Sequence, residues 1–211
     1  NADVFTTVSD LTAKECKSFL SREVDMVTPN GFEDTIVPKG PAFTKYHKDA
    51  RAKLIEVAEA MTGESFENPL LVGIGGRYEY KNKGIDIFVD SVAAIEKSSY
   101  SGRSVLAFVM VPAGINGYDK ELVAKLGGKE SDYTTHTSHN LQYPENDPVL
   151  CRMGALGINN KVNNKVKLLF IPSYLNGSDG VFNMPYYQLL SGLDLSVFPS
   201  YYEPWGYTPL E

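Results

Sequence analysis

A chain of 211 residues is long enough to form one large domain around a sizeable core. Hydrophobic residues make up 43% of it and charged residues 22%, and no apolar run approaches about eighteen residues, which excludes a disordered or membrane-spanning chain and indicates a soluble globular protein. The formal net charge of -6 argues against a nucleic acid as the main partner, because phosphate backbones require a basic face.

The two cysteines, Cys16 and Cys151, and the lack of a secretory leader in this sequence favour a reducing, cytoplasmic compartment. Cys16 lies at helical spacing with Phe19 and Leu20, which predicts a small buried hydrophobe rather than a nucleophile. Residues 1–2 resemble the scar of a cleaved expression tag and are set aside.

The amino-terminal part of the chain predicts two short β-rich runs, at residues 3–9 and 25–28, around one helix. Thr12-Ala13-Lys14-Glu15 has the form of a capping box, so the helix is expected to begin there and to end near Ser21. A turn follows at Pro29-Asn30-Gly31, and residues 41–61 have the periodicity of an amphipathic helix.

From residue 69 onward, apolar strand-like runs alternate with helical patterns. The strands are predicted at residues 69–75, 104–111, 165–172 and 195–198. The helices are predicted at residues 84–98, 118–126, 147–157 and 185–190, and residues 127–146 are expected to form a long loop or an insertion. This alternation predicts an α/β fold, a Rossmann-like parallel sheet with flanking helices and right-handed crossovers.

Two unusual loops leave strand ends, one after Gly75 and one after Phe198, and ligands of such sheets bind at the carboxyl ends of the strands. In the first loop, glycines would let an anion approach the backbone, and Arg77 and Lys83 supply two positive charges suited to a diphosphate. The loop matches no nucleotide-binding fingerprint, so a solvated basic loop is an equally open interpretation.

The second loop belongs to the last fifteen residues, VFPSYYEPWGYTPLE, in which Glu203 and Glu211 lie eight positions apart. Carboxylates accept hydrogen bonds from sugar hydroxyls, so both could contact one ligand; surface glutamates on an aromatic-rich core loop are the alternative. The density of aromatic residues is unusual for a terminus, and we therefore expect the chain to be a fragment of a longer protein.

The histidines His136 and His139 lie in the polar segment, and a metal site there would need a third and a fourth ligand that the neighbouring sequence does not supply. No metal is therefore expected.

Four stretches in a fixed order carry a family resemblance. VFPSYYEPWGYTPLE, GRYEYKNKGIDIF at residues 76–88, FTTVSDLTAKE and VTPNGFE resemble glycogen synthases of the animal and fungal type. The resemblance spans nearly the whole chain and is weakest at residues 115–147. It implies a retaining glucosyltransferase of GT-B architecture, which moves glucose from UDP-glucose to the 4-hydroxyl of a growing glycogen chain.

Within that architecture the resemblance implies the carboxy-terminal, donor-binding domain. Residues 3–31 would be a hinge-proximal segment that follows a missing amino-terminal domain, and residues 32–211 would form the nucleotide-sugar-binding Rossmann-like domain, incomplete at its C-terminus. Such a fragment is expected to be inactive alone.

By motif position, the resemblance assigns Arg77 and Lys83 to the donor diphosphate, Glu203 to the essential active-site carboxylate and Glu211 to the ribose. Tyr186 matches a tyrosine that stacks on uracil, and Asn30 would face the cleft. The backbone of the remaining site residues would line the phosphates and the sugar: Trp205, Gly206, Tyr207 and Thr208. The family implies no metal or other cofactor, and its partners are UDP-glucose and glycogen, with no nucleic acid and no membrane.

The chain departs from the family at residues 116–141, which replace a long helical insertion that supports oligomerisation. A homo-oligomer of the full-length protein stays open, but a eukaryotic-style tetramer is placed in doubt. Two alternatives to a UDP-glucose enzyme stay open: a glycosyltransferase with an ADP-glucose donor, and a non-catalytic nucleotide-binding scaffold.

Overall fold

The computed structural model describes residues 3–36 and 38–208, with the side chain of Ile36 left out. The chain divides into two compact units, one formed by Asn1–Ile36 with Tyr202–Glu211 and the other by Val37–Tyr201. The sequence patterns do not predict that residues 202–208 group with the amino-terminal segment.

The first unit contains a small β-α-β arrangement. Its strands β1 (Thr6–Thr7) and β2 (Met26–Val27) pair in parallel, and helix α1 (Asp10–Leu20) connects them. The predicted start of this helix is wrong by one turn, because the capping box is formed by Ser9 and Thr12. The Ser9 hydroxyl accepts from the Thr12 N–H at 3.2 Å, so the helix begins before the Thr12-Ala13-Lys14-Glu15 pattern.

The second unit contains the predicted alternation of strands and helices, with two additional short strands. Its helices are α2 (Pro41–Thr62), α3 (Ile85–Lys97), α4 (Lys120–Leu126), α5 (Pro148–Leu156) and α6 (Tyr186–Leu190). Its strands are β3 (Leu70–Gly75), β4 (Val105–Met110), β5 (Ile115–Tyr118), β6 (His139–Leu141), β7 (Val166–Ile171) and β8 (Leu195–Ser196). Single 3-10 turns lie at Asp34–Ile36 in the first unit and Pro144–Asn146 in the second.

Four of these strands form one parallel sheet in the order β7-β4-β3-β8. Counted along the chain, the order is third, second, first, fourth, which is the order of the first strands in Rossmann folds. β3 and β4 pair over their full lengths from Leu70↔Val105 to Gly75↔Met110, whereas β8 adds only two residues beside Val72 and Gly73. The predicted α/β fold with a Rossmann-like parallel sheet and flanking helices is confirmed.

Both faces of the sheet are covered, because successive side chains of a strand point to opposite faces. In β4, Leu106 and Phe108 belong to one core cluster, and Val105 and Val109 belong to the other. Residues of α2, α4 and α6 pack into the first cluster, and residues of α3 and α5 into the second. This two-sided burial explains why the strands read as continuous apolar runs.

Two predictions about the remaining chain need correction. Residues 127–146 are not loop throughout, since β6 pairs antiparallel with β5, and Ile115 lies opposite Leu141. Cys16 is partly exposed rather than buried, and no side chain of α1 is buried. No helix among the residues that the structure describes is long and apolar enough to cross a membrane.

Candidate functional site

The predicted site residues of the second unit lie on loops around the junction of β3 and β8, where the strand order reverses. Ligands of open α/β sheets bind at the carboxyl edge of such a junction. Asp194, just before β8, accepts from the Leu71 N–H at 2.8 Å and from the Arg51 guanidinium at 2.9 Å. Burial alone would raise the pKa of Asp194, but these donors hold it below the ordinary value. The two loops predicted to form one site thus leave neighbouring strands.

The loop after β3 is folded on its own backbone. Lys83 donates its N–H to the Glu79 carbonyl at 2.9 Å, and the N–H groups of Ile85 and Asp86 both donate to the Tyr80 carbonyl, at 3.1 and 3.4 Å. Helix α3 begins after Gly84, which has φ of 67° and no side-chain cap. The first N–H groups of this helix are therefore bonded within the protein rather than open to an anion.

The cationic side chains of this loop lie near the surface. Arg77 has 76% of its side chain exposed, and its guanidinium lies 3.0 Å from Glu79 Oε1. The other oxygen of Glu79 accepts from the Asn82 amide at 2.9 Å. Lys83 is partly buried. A solvent-exposed cation such as Arg77 remains able to exchange its carboxylate partner for a phosphate oxygen.

The loop after β8 packs directly against the loop after β3. Tyr201 donates its N–H to the Asn82 carbonyl at 2.9 Å. Gly84 approaches Pro199 so closely that a β-carbon on Gly84 would lie 2.1 Å from the Pro199 carbonyl oxygen. Only a glycine fits this approach, so both loops are held at the same edge of the sheet.

Tyr78 fixes the loop after β3 to α5. Its hydroxyl donates to Asp147 Oδ2 at 2.7 Å, while Asp147 Oδ1 caps α5 by accepting from the Val149 and Leu150 N–H groups. Burial, with the neighbouring Asp147 carboxylate, raises the pKa of the Tyr78 hydroxyl far above its ordinary value. Tyr78 is thus a neutral anchor of the loop.

Tyr186, the predicted uracil-stacking residue, begins α6 and lies against the end of β3. A β-carbon on Gly75 would lie 2.2 Å from the Tyr186 hydroxyl oxygen. The N–H of Tyr186 donates to the Leu175 carbonyl at 2.8 Å. The structure therefore brings Tyr186 together with the start of the Arg77 loop.

The other predicted site residues belong to the first unit. Asn30 is exposed, and the Glu203 side chain packs over Gly206, where an added β-carbon would lie 2.5 Å from Glu203 Cγ. Trp205 and Thr208 are partly buried, and Tyr207 is 40% exposed. Glu211 lies outside the described residues. The participation of these residues in one site with Arg77 and Lys83 stays a prediction.

The histidines are engaged by protein groups. His139 is buried, with Nδ1 2.8 Å from the Ser138 hydroxyl and Nε2 2.9 Å from the Asp179 carbonyl. His136 Nδ1 lies 3.0 Å from the Asn160 amide nitrogen. No group of three or more metal-ligating side chains occurs among residues 3–36 and 38–208.

Sequence reasoning missed several side chains at this edge. Asp86 accepts from Lys81 at 2.6 Å and from the Tyr201 hydroxyl at 3.3 Å, which joins the two loops. Tyr174, in the segment after β7, is 77% exposed and immediately precedes Leu175, the partner of Tyr186. An aromatic residue shortly after a predicted strand end is the signal that the sequence contains for Tyr174, whereas nothing local marks the Asp86 contact.

Comparison with protein families matches the chain to a family described as glycogen synthase, over residues 1–129 and 124–211. The two matched segments overlap at residues 124–129. This overlap lies inside the region 116–141, where a family insertion is expected to be missing.

Curated relatives agree with the family match. The chain is 30% identical to isoform 1 of glycogen [starch] synthase from Saccharomyces cerevisiae, over 277 aligned positions that cover 100% of this chain and 39% of the relative. It is 29% identical to the human liver enzyme, over 267 positions covering 100% of this chain and 38% of the relative. The chain thus spans about two fifths of the length of these relatives, which hold residues with no counterpart here. The chain belongs to the glycogen synthase family.

Proposed function

We propose that this chain is the donor-binding part of a glycogen synthase, which transfers glucose from UDP-glucose to the 4-hydroxyl of an α-1,4-glucan with retention of configuration. The observation that supports this most directly is the convergence of two loops with the family's motifs at the β3–β8 junction, in a chain that the family match covers from end to end. The whole protein would act in the cytoplasm.

Arg77 and Lys83 would bind the donor diphosphate. When the glycosidic bond breaks, negative charge develops on the UDP oxygen, and fixed cations beside that oxygen stabilise the transition state more than the ground state. The exposed Arg77 guanidinium would exchange Glu79 for two phosphate oxygens, a bidentate geometry that suits guanidinium groups. This scheme needs no metal ion.

Tyr186 and Tyr174 would provide aromatic surface for the base, since the backbone of Tyr186 is bonded to the residue after Tyr174. Glu203 would contact the glucose, Asn30 would face the cleft, and Glu211 would bind the ribose. The backbone of Trp205, Gly206, Tyr207 and Thr208 would line the phosphates and the sugar.

Titration with UDP tests nucleotide binding, and Trp205, the single tryptophan of the chain, is the reporter. We expect saturable quenching or a spectral shift at or below millimolar UDP. No change at millimolar UDP by fluorescence and by calorimetry would refute the donor-binding proposal and favour a scaffold without nucleotide affinity.

The donor base is tested by chain elongation with the full-length protein, comparing UDP-glucose with ADP-glucose at equal concentrations on a glycogen primer. Faster elongation from UDP-glucose is expected. The reverse preference would assign the protein to an ADP-glucose enzyme of the same architecture. The isolated chain is expected to elongate nothing from either donor.

A further inference from the structure

Contacts between the loop after β3 and the loop after β8, both within the second unit, include the following three among the described residues. Two involve backbone atoms, the Tyr201 N–H on the Asn82 carbonyl and the close approach of Gly84 to Pro199. The third uses the carboxylate of Asp86, in the first turn of α3.

Asp86 is 8% exposed, and one of its oxygens contacts both loops. Lys81, from the loop after β3, donates to Oδ2 at 2.6 Å, and the Tyr201 hydroxyl donates to the same oxygen at 3.3 Å. The ammonium of Lys81 also lies 5.6 Å from the centre of the Tyr201 ring. Burial alone would raise the pKa of Asp86, but Lys81, the Ile87 N–H and Tyr201 together hold it below the ordinary value.

A second acidic residue on the same helix has a different role. Asp90 forms a bidentate pair with Arg152 of α5, with both distances 2.7 Å, and this pair joins two helices. Asp86 instead contacts segments on both sides of the β3–β8 junction. The contrast makes Asp90 a matched control, one helical turn away and also in an ion pair.

We propose that Asp86 is a positioning residue, whose carboxylate holds the segment after β8 in place against the loop after β3. The expected effect of Asp86 on ligand binding rests on the proposed function, whereas its role in holding the two loops together does not. Arg77 and Lys83 lie on the loop that carries Lys81. Loss of the Asp86 contact would therefore shift the two cations that are proposed to bind the diphosphate. Asp86 itself is not assigned to the substrate.

The contact is tested by amide hydrogen exchange in the wild-type chain and in Asp86→Asn, Tyr201→Phe and Asp90→Asn. In Asp86→Asn and Tyr201→Phe, exchange at the Tyr201 N–H should accelerate about tenfold, because local opening becomes easier when one charge-assisted hydrogen bond is lost. The Phe108 N–H of β4 should keep its rate, and Asp90→Asn should leave Tyr201 unchanged. An unchanged Tyr201 rate, or equal acceleration at Phe108, would overturn the proposal. Tyr201→Phe keeps Asp86 in place, so it decides the question if Asp86→Asn does not fold.

Affinity for UDP tests the consequence for the site. Asp86→Asn should weaken UDP binding about tenfold relative to wild type, with Asp90→Asn as the control. Tighter binding would show that Asp86 only neutralises Lys81, and unchanged affinity would show that the contact does not position the site; either result overturns the proposal. If wild type binds no UDP, the proposed function fails, and the exchange rates still decide whether Asp86 holds the loop.

Discussion

Lys167 and Glu64 form an ion pair at the amino-terminal edge of the sheet, with 2.6 Å between Nζ and Oε2. The Lys167 side chain is fully buried, donates to the Lys161 carbonyl at 2.5 Å, and lies 5.9 Å from the centre of the Phe66 ring. A buried ammonium is tolerated only with such partners, because an unpaired charge in the interior is costly.

Glu64→Gln is therefore expected to lower the free energy of unfolding by about 2–4 kcal/mol, because the Lys167 charge stays buried without its counter-ion. Lys167→Met should cost less, since Met fills a similar volume and the Glu64 side chain that remains is 22% exposed. Urea unfolding of both variants measures the difference. A larger loss in Lys167→Met than in Glu64→Gln would contradict this account.

Gly84→Ala is expected to destabilise the protein more than Gly157→Ala. Both glycines have nearly the same backbone, with φ of 67° and 73°, so the left-handed strain of about 1 kcal/mol is common to both. A β-carbon at Gly157 meets nothing within 4 Å, whereas one at Gly84 would lie 2.1 Å from the Pro199 oxygen. Thermal unfolding of the two variants isolates the cost of the clash, and equal shifts in Tm would show that Pro199 moves freely.

His136→Gln is expected to flatten the pH dependence of stability below about pH 6.5. Burial lowers the pKa of His136, so the unfolded chain binds more protons than the folded one, and stability falls as the pH drops below the ordinary value of 6.5. Protonation would also place a second donor against the Asn160 amide nitrogen, 3.0 Å away. Urea midpoints between pH 7.5 and 5 measure the slope in the wild type and in the variant. An unaltered slope in His136→Gln would refute this assignment.

Arg77→Ala in the full-length protein is expected to reduce turnover by about a hundredfold or more, because the leaving diphosphate loses a fixed cation. The matched control is Arg103→Ala, an arginine just before β4 at the opposite edge of the sheet, which contacts Asn68 at 3.4 Å. Unfolding midpoints should be unchanged in both variants, since Arg77 is largely exposed. Wild-type turnover in Arg77→Ala would remove this residue from the site.

The sheet could be predicted because its strands are buried on both faces and so appear as apolar runs of strand length. β5 and β6 could not, since they pair across an intervening helix and neither Ile115–Tyr118 nor His139–Leu141 alternates regularly. The start of α1 differs from the prediction because Thr12 with Glu15 has the form of a capping box, whereas Ser9 is the cap in the structure. Hydrogen bonding of the two side chains, which no local pattern contains, decides between them.

The candidate site also contains residues that the sequence indicates and residues that only the structure reveals. Arg77, Lys83 and the two glutamates stand out in the sequence because charged and aromatic residues crowd there. The contact of Asp86 with Tyr201 joins positions 115 residues apart, and it exists only because β8 is placed beside β3. Residues that hold a site together are thus less visible in a sequence than those that face the ligand.

The carbonyl of Tyr80 already occupies the first two N–H groups of α3. An anion that reaches the start of α3 must therefore compete with the Tyr80 carbonyl. The apparent affinity for the anion equals its intrinsic affinity multiplied by the fraction of time that the turn is open. If the loop after β3 binds the donor diphosphate as proposed, we expect it to discriminate against weakly binding phosphates, because a ligand gains from the helix dipole only if its other contacts supply the free energy to displace Tyr80.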